Sequence, residues 1–247
     1  MSDDPVDENP RWIAGPADLM GMVEEVAAEI EAEMRALPVR NTPNMRAVRQ
    51  NYSYRLKQAE AGFVLQLART LFEIDDSYRW IAYELIHGHS PAFERLGEAE
   101  LEEFGRGINS WWTVDSFART LSGPAWLKQQ VPDELILKWA RSEDRWWRRA
   151  ALVSTVALNV RSQGGKGDSR RTLQVCRLLI EDHDDMIEKA MSWALRELVV
   201  HDEKAVQDFV DEHDKILAAR VKREVKNKLR TGLKNPRTKL AGEPNRQ

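Results

Sequence analysis

The chain has 247 residues, is 42% apolar and carries a formal net charge of −3, enough length and apolar content to bury a large core. No run approaches the ~18–20 uncharged apolar residues that a membrane span needs, and the opening M-S-D-D-P-V-D-E-N-P has no signal-peptide character, so a cytoplasmic protein is expected. Cys176 is the single cysteine, which excludes an internal disulfide and a thiolate metal cluster.

From Met1 to Arg35 acids dominate, with Asp3, Asp4, Asp7, Glu8, Glu24, Glu25 and Glu29 among them. Within that stretch Leu19, Met22, Val23, Val26 and Ile30 recur at helical spacing. After Pro38 the charge reverses: Arg40, Arg46, Arg49, Arg55 and Lys57 form a basic segment in which Tyr52 and Tyr54 read as packing residues. Phe63, Leu65, Leu67 and Leu71 mark the next helix. His87-Gly88-His89 falls at an expected turn, and because no H-E-x-x-H spacing occurs the histidines read as surface or capping residues, with no metal site expected. Pro91, Pro124 and Pro132 punctuate further helices of roughly 10 to 18 residues. The glycine-rich stretch 161–169 reads as an exposed basic loop between helices. It lacks the phosphate-loop spacing, yet Arg161, Lys166, Arg170 and Arg171 would let it approach a polyanion. Leu173, Val175, Cys176, Leu179 and Ile180 form another apolar stripe. Beyond it the chain turns basic from Lys215 through Arg223 to Arg246. A polyanion would be held on that end and on Arg46 and Arg49, away from the acidic start.

Strand-like alternation is absent, and a weak repeat runs through the helices. Asp76, Asp144 and Asp184 each stand six residues before an alanine, Ala82, Ala150 and Ala190, and Ala118 occupies the equivalent place between the first two. Each acid would cap a helix whose alanine admits a close neighbour. The alanines are spaced by 36, 32 and 40 residues, near the ~40 of HEAT-type helical pairs. Trp146-x-x-Arg149 and Trp193-x-x-Arg196 repeat a second signature. The expected fold is therefore all-α, a HEAT-like helical-repeat solenoid with one concave face, as a single domain over 1–235 followed by a basic tail over 236–247. Trp111, Trp146 or Trp147, and Trp193 would converge on that face.

On a helix, Trp111 and Asp115 share a face one turn apart, while Trp112 points elsewhere, inward. Arg148 and Arg149 open the corresponding helix of the next unit, and Lys189, Trp193 and Arg196 share a face on the one after. One acid, several indoles and several guanidinium groups suit a flat cationic ligand attached to phosphates. Taken alone, Asp115 reads equally well as a capping or salt-bridging acid.

The stretches N-S-W-W-T-V-D-S-F-A, D-R-W-W-R-R-A-A-L-V and I-E-K-A-M-S-W-A-L-R-E-L resemble the AlkD-like DNA alkylation repair glycosylases, in order, from about Val39 to Leu229. The resemblance implies HEAT-like repeats and release of N3- or N7-alkylated purines from duplex DNA without metal or cofactor, by a monomer. It implies that Asp115 is the catalytic carboxylate, that Trp111 and Trp193 pack on the lesion's deoxyribose, and that Arg149 binds the adjoining phosphate. Arg148, Lys189, Arg196, Arg46, Arg49 and Arg223 are the further candidate DNA contacts. Two features depart from the family: Trp112 stands where an acid is frequent, and the N-terminal region is acidic. The rival readings are a non-catalytic protein that binds DNA or distorted junctions, and a protein-binding scaffold.

Overall fold

Apolar residues at three- and four-residue spacing wind most of the chain into helix, and the computed structural model, which describes residues 16–236, contains no strand among them. The acidic segment around Asp3 to Glu8 and the tail from Arg237 lie outside the described residues. In chain order the helices are α1 (Pro16–Ala36), α2 (Thr42–Arg55), α3 (Ala61–Ile74), α4 (Arg79–Gly88), the single turn α5 (Ser90–Phe93), α6 (Glu98–Gly105) and α7 (Trp111–Phe117). α7 runs on through a π-helical turn, Ala118–Ser122, into α8 (Gly123–Leu127). Then come α9 (Asp133–Ala140), α10 (Arg145–Asn159), α11 (Ser169–Leu178), α12 (Asp185–Leu198), α13 (Glu203–Glu212) and α14 (Ala219–Thr231).

These helices form two rows. In one, α2 packs on α4, α4 on α7, α7 on α10, α10 on α12 and α12 on α14. In the other, α1 packs on α3 and α9 on α11. Ion pairs tie this second row together: Arg69 of α3 to Glu103 of α6 at 2.6 Å, Lys138 of α9 to Glu102 of α6 at 2.6 Å, and Arg170 of α11 to Asp133 of α9 at 2.8 Å. The fold is thus an all-α helical-repeat solenoid. Ala82, Ala118, Ala150 and Ala190 are all fully buried in the first row, as close helix approach requires.

The caps follow the expected pattern with one shift. Asp144 accepts from the Trp146 amide and Asp184 from the Met186 amide, both at 2.8 Å. In the earlier unit the cap is Asp75, which accepts from Ser77 at 2.7 Å, while Asp76 pairs with Arg79 instead. Several helix lengths also differ from expectation: α1 has 21 residues, α5 has 4, α6 and α9 have 8 each, and the π turn divides what would be one helix into pieces of 7 and 5.

Candidate active site

Ser110 caps α7 by accepting from the Thr113 amide, and the Thr113 hydroxyl reaches back to the Ser110 amide. This capping box fixes Trp111 at the first helical position and Asp115 one turn later on the same face. Trp111 is 59% exposed. Asp115, Trp111 and Trp193 of α12 border one cleft of about 740 Å³, whose far wall is Arg46 and Arg49 of α2 and Glu84 of α4. Along a straight row, α2 and α12 would stand four helix spacings apart, on the order of 30–40 Å. That one cleft touches both means the row curves inward.

Asp115 is held by Arg149 of α10. The guanidinium donates from Nε to Oδ1 and from Nη2 to Oδ2, each at 2.9 Å, and from Nη1 to the Met186 carbonyl. The Asp115 side chain is 16% exposed and that of Arg149 only 6%. Burial pushes the Asp115 carboxyl above the ordinary aspartate value, opposed by the hydrogen bonds and charge of Arg149 and by the charge of Arg119. A carboxylate offers about four lone-pair directions, so each oxygen keeps one for the cleft. The phosphate contact expected of Arg149 is therefore not what its position provides: it is a buried orienting partner of the acid.

Trp193 is half-buried, and its Nε1 donates to Glu197 at 3.0 Å, which sets the plane of the indole. The guanidinium of Arg119 lies 5.4 Å over the ring. Arg49 pairs with Glu84 at 2.8 Å, leaving Arg46 and Arg119, both exposed, with no carboxylate at ion-pair distance among the described residues.

The π turn shapes this wall. Gly123 is pressed against α10: a Cβ there would meet the Ser154 carbonyl at 2.9 Å and Ala157 Cβ at 2.8 Å. Its amide bonds to Ala118 rather than to Arg119, and Pro124 has no N–H. The carbonyls of Arg119 and Thr120 are thereby released from the helix. Gln163 of the glycine-rich loop donates to the Arg119 carbonyl at 2.8 Å, and the His87 ring is hydrogen-bonded to the Thr120 main chain. Arg119, Gln163 and His87 all border the cleft, and sequence reasoning singled out none of them for the site. The signal was Gly-Pro four residues after Arg119.

The other expected contacts divide. Arg46 and Arg49 border the cleft. Arg148 does not: it binds Asp182 at 2.7 Å and the Ser142 and Glu143 carbonyls, closing the turn before its own helix. Lys189 pairs with Asp185 at 2.5 Å, and Arg196 donates to the Ser192 hydroxyl at 3.2 Å. Arg223 is exposed on α14, away from the cleft lining. Trp112 does not point inward. It is 37% exposed and lines a separate cleft of about 320 Å³ with Trp80 and Met45. Trp147 packs edge-on against Phe117, with Trp139 beside it, and Trp146 carries Arg145 over its face, so neither joins Trp111 and Trp193. In the loop, Arg161 and Lys166 are exposed; Arg170 and Arg171 belong to α11 and pair with Asp133 and Asp168. His89 caps α5, its Nδ1 accepting from the Ala92 amide at 3.1 Å.

No group of three or more His, Cys, Asp or Glu side chains capable of holding a metal occurs among the described residues, and none of their helices is long and apolar enough to cross a membrane. Residues 23–229 match the model of a family described as DNA alkylation repair enzyme. No curated protein matches the chain.

Proposed function

The chain belongs to the DNA alkylation repair enzyme family, and we propose that it hydrolyses the N-glycosidic bond of cationic N3- or N7-alkylated purines in duplex DNA, leaving an abasic site. The observation that carries this reading is a carboxylate, Asp115, fixed by Arg149 in a cleft that also presents the Trp111 and Trp193 indoles, while the cleft's other carboxylate, Glu84, is paired with Arg49.

An alkylated purine of this kind is already positively charged, so it departs as a neutral base when the C1'–N bond breaks and takes the bonding electron pair with it. No general acid is required. Positive charge then appears on the sugar, and an ionised Asp115 stabilises it and orients the attacking water, whose proton passes to solvent or to the carboxylate. The indoles exclude bulk water and attract the cation through their faces. One reacting carboxylate suffices here, in contrast to sugar hydrolases, which use two because their leaving groups need protonation. Arg149 keeps the acid ionised and aimed, and Arg46 and Arg119 are free to meet the strand's phosphates. The reading uses no metal and no cofactor.

The test is incubation with duplex DNA containing N7-methylguanine and detection of the free base. Release by the natural protein and none by Asp115→Asn is the expected result. Binding without release would instead favour a non-catalytic DNA-binding protein. Binding that is absent or indifferent to salt would favour a protein scaffold.

A further inference from the structure

The Trp193 face is occupied by Arg119, 5.4 Å from the ring centre. An indole face at this site accepts one cation at a time, so a cationic base or sugar cannot settle on Trp193 while the guanidinium remains there, and like charges would repel. Arg119 must therefore move to another anion. The nearby protein carboxylates already have partners: Asp115, whose remaining lone pairs are the ones the sugar cation would meet, is paired with Arg149, Glu84 with Arg49, and Glu197 accepts from the Trp193 Nε1. The main chain of Arg119 cannot follow, because its carbonyl is tied to Gln163, so only the side chain swings. Within its reach the acceptor that arrives together with the lesion is a phosphate of the same strand.

We infer that Arg119 is a phosphate-binding residue whose transfer from the Trp193 face to the DNA backbone uncovers that indole, so that the cleft opens to a nucleotide strand and not to a free nucleoside. This rests on the proposed glycosylase reading for the identity of the strand, but its binding consequences can be read without any chemistry.

Arg119 is exposed and its side chain has no ion-pair partner among the described residues, so Arg119→Gln should fold normally. Affinity for plain duplex DNA is measured as salt is raised, for the natural protein, Arg119→Gln and Arg119→Lys. One lost phosphate contact lowers the log–log salt slope by about 0.9, which means that the natural protein loses about threefold more affinity than Arg119→Gln between 50 and 200 mM salt. Arg119→Lys keeps the slope. An unchanged slope in Arg119→Gln, or loss of slope in both variants, overturns the phosphate assignment.

The second arm is binding of the free nucleoside N7-methyl-2'-deoxyguanosine, followed by tryptophan quenching. Arg119→Gln should bind it more tightly than the natural protein, by a factor of about two to five, the range one exposed cation–π contact corresponds to. Equal or weaker binding overturns the uncovering. If the natural protein releases no base from alkylated duplex, the glycosylase reading fails while both binding arms still decide this one.

Discussion

Asp115→Asn keeps the shape of the side chain and removes its charge, and the structure sets two separate costs for it. A carboxylate about 4 Å from a unit positive charge, at an effective dielectric of about 20, contributes ~4 kcal/mol of attraction. Arg149 lies on the far side of the carboxylate and offsets part of this, so a loss of 10²–10³ in the rate of base release is expected, comparable to removing one preorganised electrostatic group elsewhere. The second cost falls on the fold. Arg149, only 6% exposed at the side chain, is left as a buried cation beside a neutral amide, a change worth about 3–5 kcal/mol. The double variant Asp115→Asn with Arg149→Met separates the two, because an apolar replacement of the cation relieves the unpaired charge. Single-turnover release from N7-methylguanine duplex and urea unfolding followed by circular dichroism would be measured for the natural protein and both variants. The double variant should regain most of the stability and none of the rate. Release within tenfold of the natural protein would refute the electrostatic role of Asp115, and a double variant no more stable than Asp115→Asn would refute the buried ion pair as the origin of the cost.

Because burial raises the Asp115 pKa against the pull of Arg149, release should fall as pH drops through a value above that of an ordinary aspartate. Arg149→Met should move this acid limb to higher pH, and an unmoved limb would contradict the ion pair. Acid unfolding should come from groups such as Glu103 and Glu102. These are held below the ordinary range by hydrogen bonds from Arg69 and Lys138, and their contribution, full above the unfolded value, is lost as pH falls through the lowered one. Arg148→Ala should cost about 2 kcal/mol in urea unfolding, through lost charged hydrogen bonds, and leave the salt slope of DNA binding unchanged; a lower slope would return Arg148 to the interface. Glu84→Gln should free Arg49 and steepen that slope by about 0.9, and a slope no steeper would show that Arg49 cannot reach a phosphate. Gly123→Ala should cost about 1–3 kcal/mol, since the added Cβ would sit 2.8 Å from the Ala118 carbonyl and Ala157 Cβ, and thermal unfolding at the natural temperature would disprove the close approach.

The repeat was legible because its alanines mark where helices touch, and a residue that must be small cannot drift far from its period. Trp111 and Asp115 were legible for a similar local reason: four residues on a helix fix a shared face whatever surrounds it. The π turn was not read as such, since its causes are split between a local one, the missing N–H of Pro124, and a distant one, the backbone of α10 against Gly123. Trp112 was misplaced because burial of a helix's third side depends on how far the neighbouring pair extends, and here it leaves a gap beside Trp80 and Met45.

Which arginines would be free for DNA and which are paired was also hidden, yet the pairs obey the repeat. Arg149–Asp115, Arg148–Asp182 and Arg69–Glu103 are each separated by 34 residues, Lys138–Glu102 by 36, Arg170–Asp133 by 37 and Arg145–Asp184 by 39. In a solenoid a side chain meets its counterpart one unit along, so a cation with an acid at that separation is neutralised within the protein. The cleft is a place where this arithmetic fails to balance. Glu84 stands 35 residues from both Arg49 and Arg119 and 38 from Arg46, and it pairs with Arg49. Three arginines therefore share one acid at the mouth of the Asp115 cleft, and the surplus of two cations gathers there although the chain as a whole carries a net charge of −3. A mildly acidic protein can in this way present a locally basic surface to a phosphate backbone, because attraction is set by the charges within about a Debye length of the contact and not by the sum over the molecule.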